Sequence, residues 1–182
     1  MKFMRIISGA FKSRRIIAPN HLPVRPTTDR AKEALFNILY HSYILDELKV
    51  LDLFAGIGSI SLEFASRGTR DITAVDQHRG CTDFISQTTQ QLGIDMTVKT
   101  QEVIDFLETS ENRFDIIFAD PPYEMGEEEF YKLIHTVMAK KQLNDNGILI
   151  VEHSKHTDLS GHPNFDQKRQ YGHSVFSWFS DR

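Results

Sequence analysis

Phe114-Asp115-Ile116-Ile117-Phe118-Ala119-Asp120-Pro121-Pro122-Tyr123 is the stretch whose reading decides the fold. Its apolar run, Phe114 to Ala119, is short and ends at prolines, which reads as a buried strand of a parallel sheet. In open α/β sheets, ligands bind outside the carboxyl ends of the strands. At that end stand a carboxylate, two rigid residues and an aromatic ring. Consecutive prolines fix φ and donate no N–H, so the carbonyls of Asp120 and Pro121 are held in place and free to accept. Read alone, the four residues fit a strand-ending turn with a surface tyrosine equally well. The surrounding chain has to separate the two readings.

Outward from this stretch, apolar runs alternate with helical patterns. Lys49 to Phe54, Asp71 to Val75, Met96 to Lys99 and Gly147 to Glu152 read as strands. Between them lie helices ending near Gly68, over Cys81–Leu92, and over Gln101–Thr109. After Tyr123, Phe130, Leu133, Ile134, Val137 and Met138 fall on one helical face, with Glu127 to Glu129 favourable at its positive end. Phe165 to Gln170 and Ser174 to Phe179 close the sheet as an antiparallel pair. The alternation predicts an α/β, doubly wound, Rossmann-like sheet of seven strands, mostly parallel, with a terminal antiparallel strand.

Leu51-Asp52-Leu53-Phe54-Ala55-Gly56-Ile57-Gly58 is the second decisive stretch. Gly56 and Gly58 let backbone approach a ligand between a strand and a helix start. A dinucleotide fingerprint needs a third small residue where Ser61 stands, and a triphosphate loop needs a Gly-Lys-Ser/Thr triplet that does not follow. Asp76 ends the next strand, where a carboxylate suits two ribose hydroxyls. Glu102 follows the strand after that, where it can read an adenine amine. Each has a dull alternative as a turn, a cap or a surface acid. Together they line one edge of the sheet, which favours a nucleoside-bearing cofactor.

The amino-terminal segment differs from the rest. Residues 1–32 hold eight Lys/Arg and one acid, Asp29, giving +7, so the remainder carries −11 of the net −4. Phe3 to Ser8 and Arg14 to Ala18 predict a small β-hairpin bearing Arg5, Lys12, Arg14 and Arg15. A loop stiffened by Pro19, Pro23 and Pro26 leads to Thr27-Thr28-Asp29, which supplies cap candidates for a helix to about His41. A basic arm on an acidic body suits a local polyanion contact. The expected division is a hairpin and loop over residues 1–27 and a catalytic domain over residues 28–182.

At 182 residues the chain suits about one domain that needs no disulfide staples. No apolar run approaches a membrane span, and no signal peptide is read in Met1 to Ile17. The single cysteine, Cys81, fits a reducing, cytoplasmic compartment. His153 and His156 are three apart with no third ligand nearby, so no metal is expected. Nothing demands more than a monomer.

Asp52-to-Gly58, Asp76, Glu102 and Asp120-to-Tyr123, in this order, resemble the motifs of class I S-adenosylmethionine-dependent methyltransferases. The Asp-Pro-Pro-Tyr motif resembles that of the branch acting on exocyclic base nitrogens. Arg5-to-Gly9, Arg25-Pro26-Thr27-Thr28-Asp29-Arg30 and Glu33-to-Asn37 resemble the RsmD family of bacterial 16S rRNA guanine-N2 methyltransferases. The resemblance runs from Met4 through Glu152 and weakens beyond. It implies S-adenosyl-L-methionine held by Asp52, Phe54, Ala55, Gly56, Gly58, Asp76, Glu102 and Val103. It implies chemistry at Asp120, Pro121, Pro122 and Tyr123. Arg5, Lys12, Arg14, Arg15, Arg25, Thr27, Thr28 and Arg30 are implied to meet 16S rRNA, within an assembling or assembled small subunit. Glu102 departs from the Asp that many relatives of this fold carry.

Rival readings share parts of this pattern. An N6-adenine or N4-cytosine nucleic-acid methyltransferase shares the four-residue motif but usually carries a large recognition insert, for which this chain has no room. A catalytically silent RNA-binding assembly factor would not need Asp120 and Tyr123. A nicotinamide oxidoreductase is disfavoured by Ser61.

Overall fold

The computed structural model describes residues 2–181. Met1 and Arg182, which fall within the two expected spans, lie outside the described residues. The chain opens with β1 (Lys2–Arg5) and β2 (Arg15–Ala18), an antiparallel hairpin that pairs Phe3 with Ile17 and Arg5 with Arg15. The strands stop short of the expected Ser8 because the backbone turns there to bond the body. The N–H groups of Ile7 and Ser8 donate to the Glu63 carboxylate at 3.0 and 3.1 Å.

Helix α1 (Asp29–Ser42) starts where the sequence predicts. The Thr28 hydroxyl accepts from the Ala31 N–H, and Asp29 sits in the positive first turn. After a 3₁₀ turn at Leu45–Glu47 come β3 (Lys49–Leu53), α2 (Ser59–Ser66), β4 (Asp71–Asp76), α3 (Arg79–Leu92) and β5 (Thr97–Thr100). Then follow α4 (Val103–Thr109), β6 (Phe114–Ala119), α5 (Glu127–Ala139), β7 (Leu143–Ser154), β8 (Phe165–Tyr171) and β9 (Ser174–Phe179). Glu129 accepts from the Gly126 N–H at 2.8 Å, so the acidic run of α5 is a helix-start device.

The seven strands lie in the order β5-β4-β3-β6-β7-β9-β8. β3 pairs in parallel with β4 and β6, while β9 runs antiparallel to both β7 and β8. The last strand in sequence is therefore not the edge. The apolar β9 is buried between its neighbours, and the polar Phe165–Tyr171 strand takes the edge, where charge discourages further pairing. β7 begins at Leu143, ahead of the expected Gly147. Its register breaks between Leu143 and Ile148, with Asn146 at φ +62°, so the polar Asn144–Gly147 stretch hides a bulged part of the strand.

Strand alternation sorts the core onto two faces. Leu51, Leu53, Ile117, Ala119 and Val151 pack with Phe106, Phe130 and Ile134 under α4 and α5. Val50, Ile116, Phe118, Ile150 and Trp178 pack with Leu35, Phe36, Ile60 and Phe64 under α1 and α2. Continuing that alternation by two residues carries Asp52, Asp120 and Glu152 onto the α1/α2 face at neighbouring strand ends. The chain moves from β3 outward to β4 and β5 on one side and returns to β6 and β7 on the other. The β3/β6 junction is thus the switch point where this architecture leaves a crevice.

Candidate active site

At the switch point β3 gives way to a tight turn. Phe54, Gly56 and Gly58 all have positive φ, at 56°, 57° and 83°. Phe54 is the unusual one, since a bulky side chain rarely adopts this region. A Cβ at Gly58 would lie 3.1 Å from the Ile85 side chain, so Gly58 serves the close approach of α2 and α3. The Gly56 N–H donates to the Asp76 carboxylate at 2.9 Å, and the other oxygen of Asp76 accepts from the His78 N–H at 2.8 Å. The ends of β3 and β4 are therefore locked together around one carboxylate.

A cavity of about 760 Å³ opens over these ends, a size that suits a cofactor-sized ligand. Asp52, Phe54, Ala55, Gly56, Asp76, Asp120, Pro121, Pro122 and Tyr123 line it, as do Arg25, Thr27, Thr28 and Arg30. The structure thus gathers most of the residues expected to hold cofactor, chemistry and the near part of the substrate. Others stand outside the lining. Gly58 caps α2. Glu102 caps α4 by accepting from the Asp105 N–H at 3.0 Å, and Val103 is buried in the core. Lys12, Arg14 and Arg15 lie on the hairpin, with Arg14 over the Phe11 ring and Arg15 over the Phe3 ring. Arg5 is paired with Asp29 at 2.9 Å.

Three acids crowd the cavity floor. Asp52 is fully buried, and its Oδ2 accepts from the Ser61 N–H and from the Ser61 hydroxyl at 2.5 Å. Ser61, which in sequence only argued against a dinucleotide, thus ties β3 to the start of α2. Burial pushes the Asp52 carboxyl up to about 7 despite those two bonds, and Asp76 adds to the rise. Burial also raises Asp120 well above the carboxylate range, with the charges of Glu152 and Asp52 adding to it. Among the described residues, no side chain or backbone N–H donates to the Asp120 carboxylate. Glu152 is raised by burial as well, opposed by the Thr27 hydroxyl at 2.8 Å, by Ser174 and by Arg25.

The rim is built from distant parts of the chain. The Arg25 guanidinium lies 5.4 Å from the centre of the Tyr123 ring, which is 58% exposed and available to a planar partner. Tyr171, Gly172, His173 and Ser174, from the β8–β9 turn, close the far side. Sequence reasoning assigned no role to Glu152 or to this turn. Glu152 meets Thr27 across 125 positions, and only the fold reveals that. One sign was available: an acid closing an otherwise apolar strand, in the same place as Asp120 on its own strand. Among the described residues, no group of three or more His, Cys, Asp or Glu is placed to hold a metal ion.

With β9 reversed beside β7 and the crevice between β3 and β6, the molecule has the class I methyltransferase fold. The RsmC methyltransferase of Thermus thermophilus, a 16S rRNA N2 methyltransferase solved with AdoMet and guanosine, aligns with TM-score 0.75. At 19% identity over all of this chain and 50% of that one, that likeness speaks for the fold alone. A hypothetical protein from the same organism aligns more closely, with TM-score 0.84 at 26% identity over 97% of this chain and 99% of that one. The sequence model of the family described as Conserved hypothetical protein 95 matches residues 4–180, and the chain belongs to that family. A relative in Haemophilus influenzae, Ribosomal RNA small subunit methyltransferase D, is 32% identical over 86% of this chain and 81% of its own length.

Proposed function

We propose that the protein transfers a methyl group from S-adenosylmethionine to the exocyclic N2 amine of a guanine in 16S ribosomal RNA. The observation that carries this reading is the Asp120 carboxylate, which faces the switch-point cavity with no protein donor. Its neighbours suit the cofactor. A floor of crowded acids favours a cation, and Asp76 ends β4 beside the glycine turn, where its remaining lone pairs can accept from a ribose diol. When bound, S-adenosylmethionine supplies an electrophilic methyl group on a positively charged sulfur.

The protein's own part is to hold and aim an amine. A guanine amine is a weak nucleophile because its lone pair is delocalised into the ring. The Asp120 carboxylate and the Pro121 carbonyl each accept one amine hydrogen, which orients the nitrogen and stabilises the positive charge that grows on it. The two prolines keep both acceptors in place without a competing N–H. Tyr123 stacks on the base, a contact worth roughly 1–3 kcal/mol, which helps offset the few kcal/mol needed to extrude it. Water removes the proton after transfer.

The substrate is met at two distances. Arg25 and Arg30 stand at the cavity, while Lys12, Arg14 and Arg15 on the hairpin meet RNA phosphates, which position the substrate without choosing a base. The acceptor is an assembling or assembled small subunit, and the enzyme acts as a monomer in the cytoplasm. Labelled S-adenosylmethionine incubated with unmethylated small subunits should label the RNA, and the same protein should leave duplex DNA unlabelled. Label in DNA alone would overturn the assignment.

A further inference from the structure

Asp-Pro-Pro-Tyr accepts an exocyclic amine but does not say which base carries it. The cavity holds a second carboxylate that the motif does not include. Glu152 follows Val151, the last β7 residue paired with β6, just as Asp120 follows its partner Ala119, while β7 itself runs on beside β9 to Ser154. The two acids therefore stand on the same face of neighbouring strands, roughly 4.8 Å apart at the backbone. Both line the cavity, and the charge of Glu152 helps to raise Asp120. The Thr27 hydroxyl donates to one oxygen of Glu152 at 2.8 Å, with Ser174 and Arg25 beside it. These partners fix the side chain and oppose the rise that burial causes, and as a carboxylate it can only accept.

The bases differ at this point in a way a carboxylate can read. The amine of adenine is flanked by the N1 lone pair, and that of cytosine by the N3 lone pair. Only the amine of guanine is flanked by a donor, the N1–H, which points along the same edge. A fixed carboxylate next to the amine acceptor attracts that donor and repels a lone pair in the same place.

Resting on the function proposed above, we infer that Glu152 is the residue that selects guanine, accepting its N1–H while Asp120 and Pro121 hold the neighbouring amine. Thr27 is a positioning residue for it: the hydroxyl ties the proline-stiffened loop to β7 and sets the carboxylate's direction.

The test uses small subunits reconstituted on 16S rRNA with guanine or 2-aminopurine at the methylated position. 2-Aminopurine keeps the 2-amine but presents a lone pair at N1. The wild-type protein should prefer guanine in kcat/KM by roughly 10–100-fold, the discrimination a well-placed polar contact gives. Glu152→Gln can turn an N–H toward the 2-aminopurine lone pair, so the preference should shrink by about tenfold or more even as the overall rate falls. Thr27→Val, which keeps the acid but releases its direction, should lower the rate and also weaken the preference for guanine, though by less than Glu152→Gln does. A wild-type protein indifferent to the two bases would overturn the inference, and needs no variant to fold. So would a Glu152→Gln protein that is slower on both bases with an unchanged ratio, as a purely structural role predicts. Failure of the wild-type protein to form N2-methylguanosine on ordinary subunits would strike the underlying function instead, and is seen before any substitution is made.

Discussion

Two buried regions of this molecule carry acidic side chains, and they treat them in opposite ways. In the seam between the hairpin and the body, Glu63 is wholly buried and fully partnered. It accepts from the Ile7 and Ser8 N–H groups, from Arg67 Nε at 2.9 Å, and faces Lys32 Nζ at 3.4 Å. Lys32 in turn donates to the Arg5 carbonyl and the Ser59 hydroxyl, although burial still lowers its pKa. In the cavity, at the ends of β3 and β6, Asp52 is buried and Asp120 half-buried beside other acids, with few donors or none, and both are pushed toward their neutral forms. A satisfied buried charge holds structure. An unsatisfied one is costly, so its retention points to a partner that arrives later.

Breaking the satisfied side should give the largest loss of stability. Glu63→Gln leaves Lys32 buried without its counter-charge and takes away one of the two oxygens that anchor the hairpin. A loss of roughly 3–5 kcal/mol in urea unfolding is expected, the usual result of breaking one half of a buried ion pair. The opposite side should lose chemistry and not fold. Asp120→Ala should lower turnover by roughly 10²–10³-fold. Its unfolding midpoint should stay equal or rise, and calorimetry should give a cofactor affinity within a few fold of wild type. Loss of cofactor binding in that variant would show that Asp120 belongs to the cofactor site and not to the amine.

Next in size is a pH effect on the ligand-free protein. Asp52 titrates at about 7 in the fold against 3.8 as a free side chain. As pH rises, the unfolded chain gives up this proton first, so stability should fall between about pH 4 and 7. The slope approaches about 1.4 kcal/mol per pH unit for a single group of this kind. Asp52→Asn should flatten that part of the profile and raise the melting temperature above pH 7. An unchanged profile would mean that solvent reaches Asp52.

The smallest effect belongs to the outer arm. Arg14 and Arg15 stack on Phe11 and Phe3 but have no acidic partner among the described residues, unlike Arg5. Replacing both with Ala should weaken RNA binding evenly across sequences and reduce the log–log salt slope by roughly 1.4–1.8. Arg5→Ala should do less, since Asp29 already engages that charge.

The same contrast explains what could be read in advance. Strand-end features were legible because they are local: the Asp-Pro-Pro-Tyr corner, the glycine turn and Asp76 each sit on one segment, and β6 and β9 begin and end where the sequence predicts. Pairings between segments were not. Lys32 counts as arm charge in the sequence, yet it is 1% exposed and bonded to α2. Glu152 reads as a strand-end acid until Thr27 folds onto it. Charge in a sequence carries no mark of its eventual burial, so buried networks appear only with the fold. The bulged start of β7 was hidden for a related reason: Asn144–Gly147 has turn chemistry, and the strand tolerates it as a bulge.

If the crowded acids of the cavity await a cation, proton release on cofactor binding is the most direct sign of it. Titration calorimetry with S-adenosylmethionine near pH 7, repeated in buffers of different ionisation enthalpy, counts the protons exchanged. A cation that favours the ionised acids lowers their pKa values. At a pH close to the Asp52 value, wild type should therefore release up to about half a proton from that group, and Asp52→Asn correspondingly less. Binding with no proton exchange, or with proton uptake, would contradict the account.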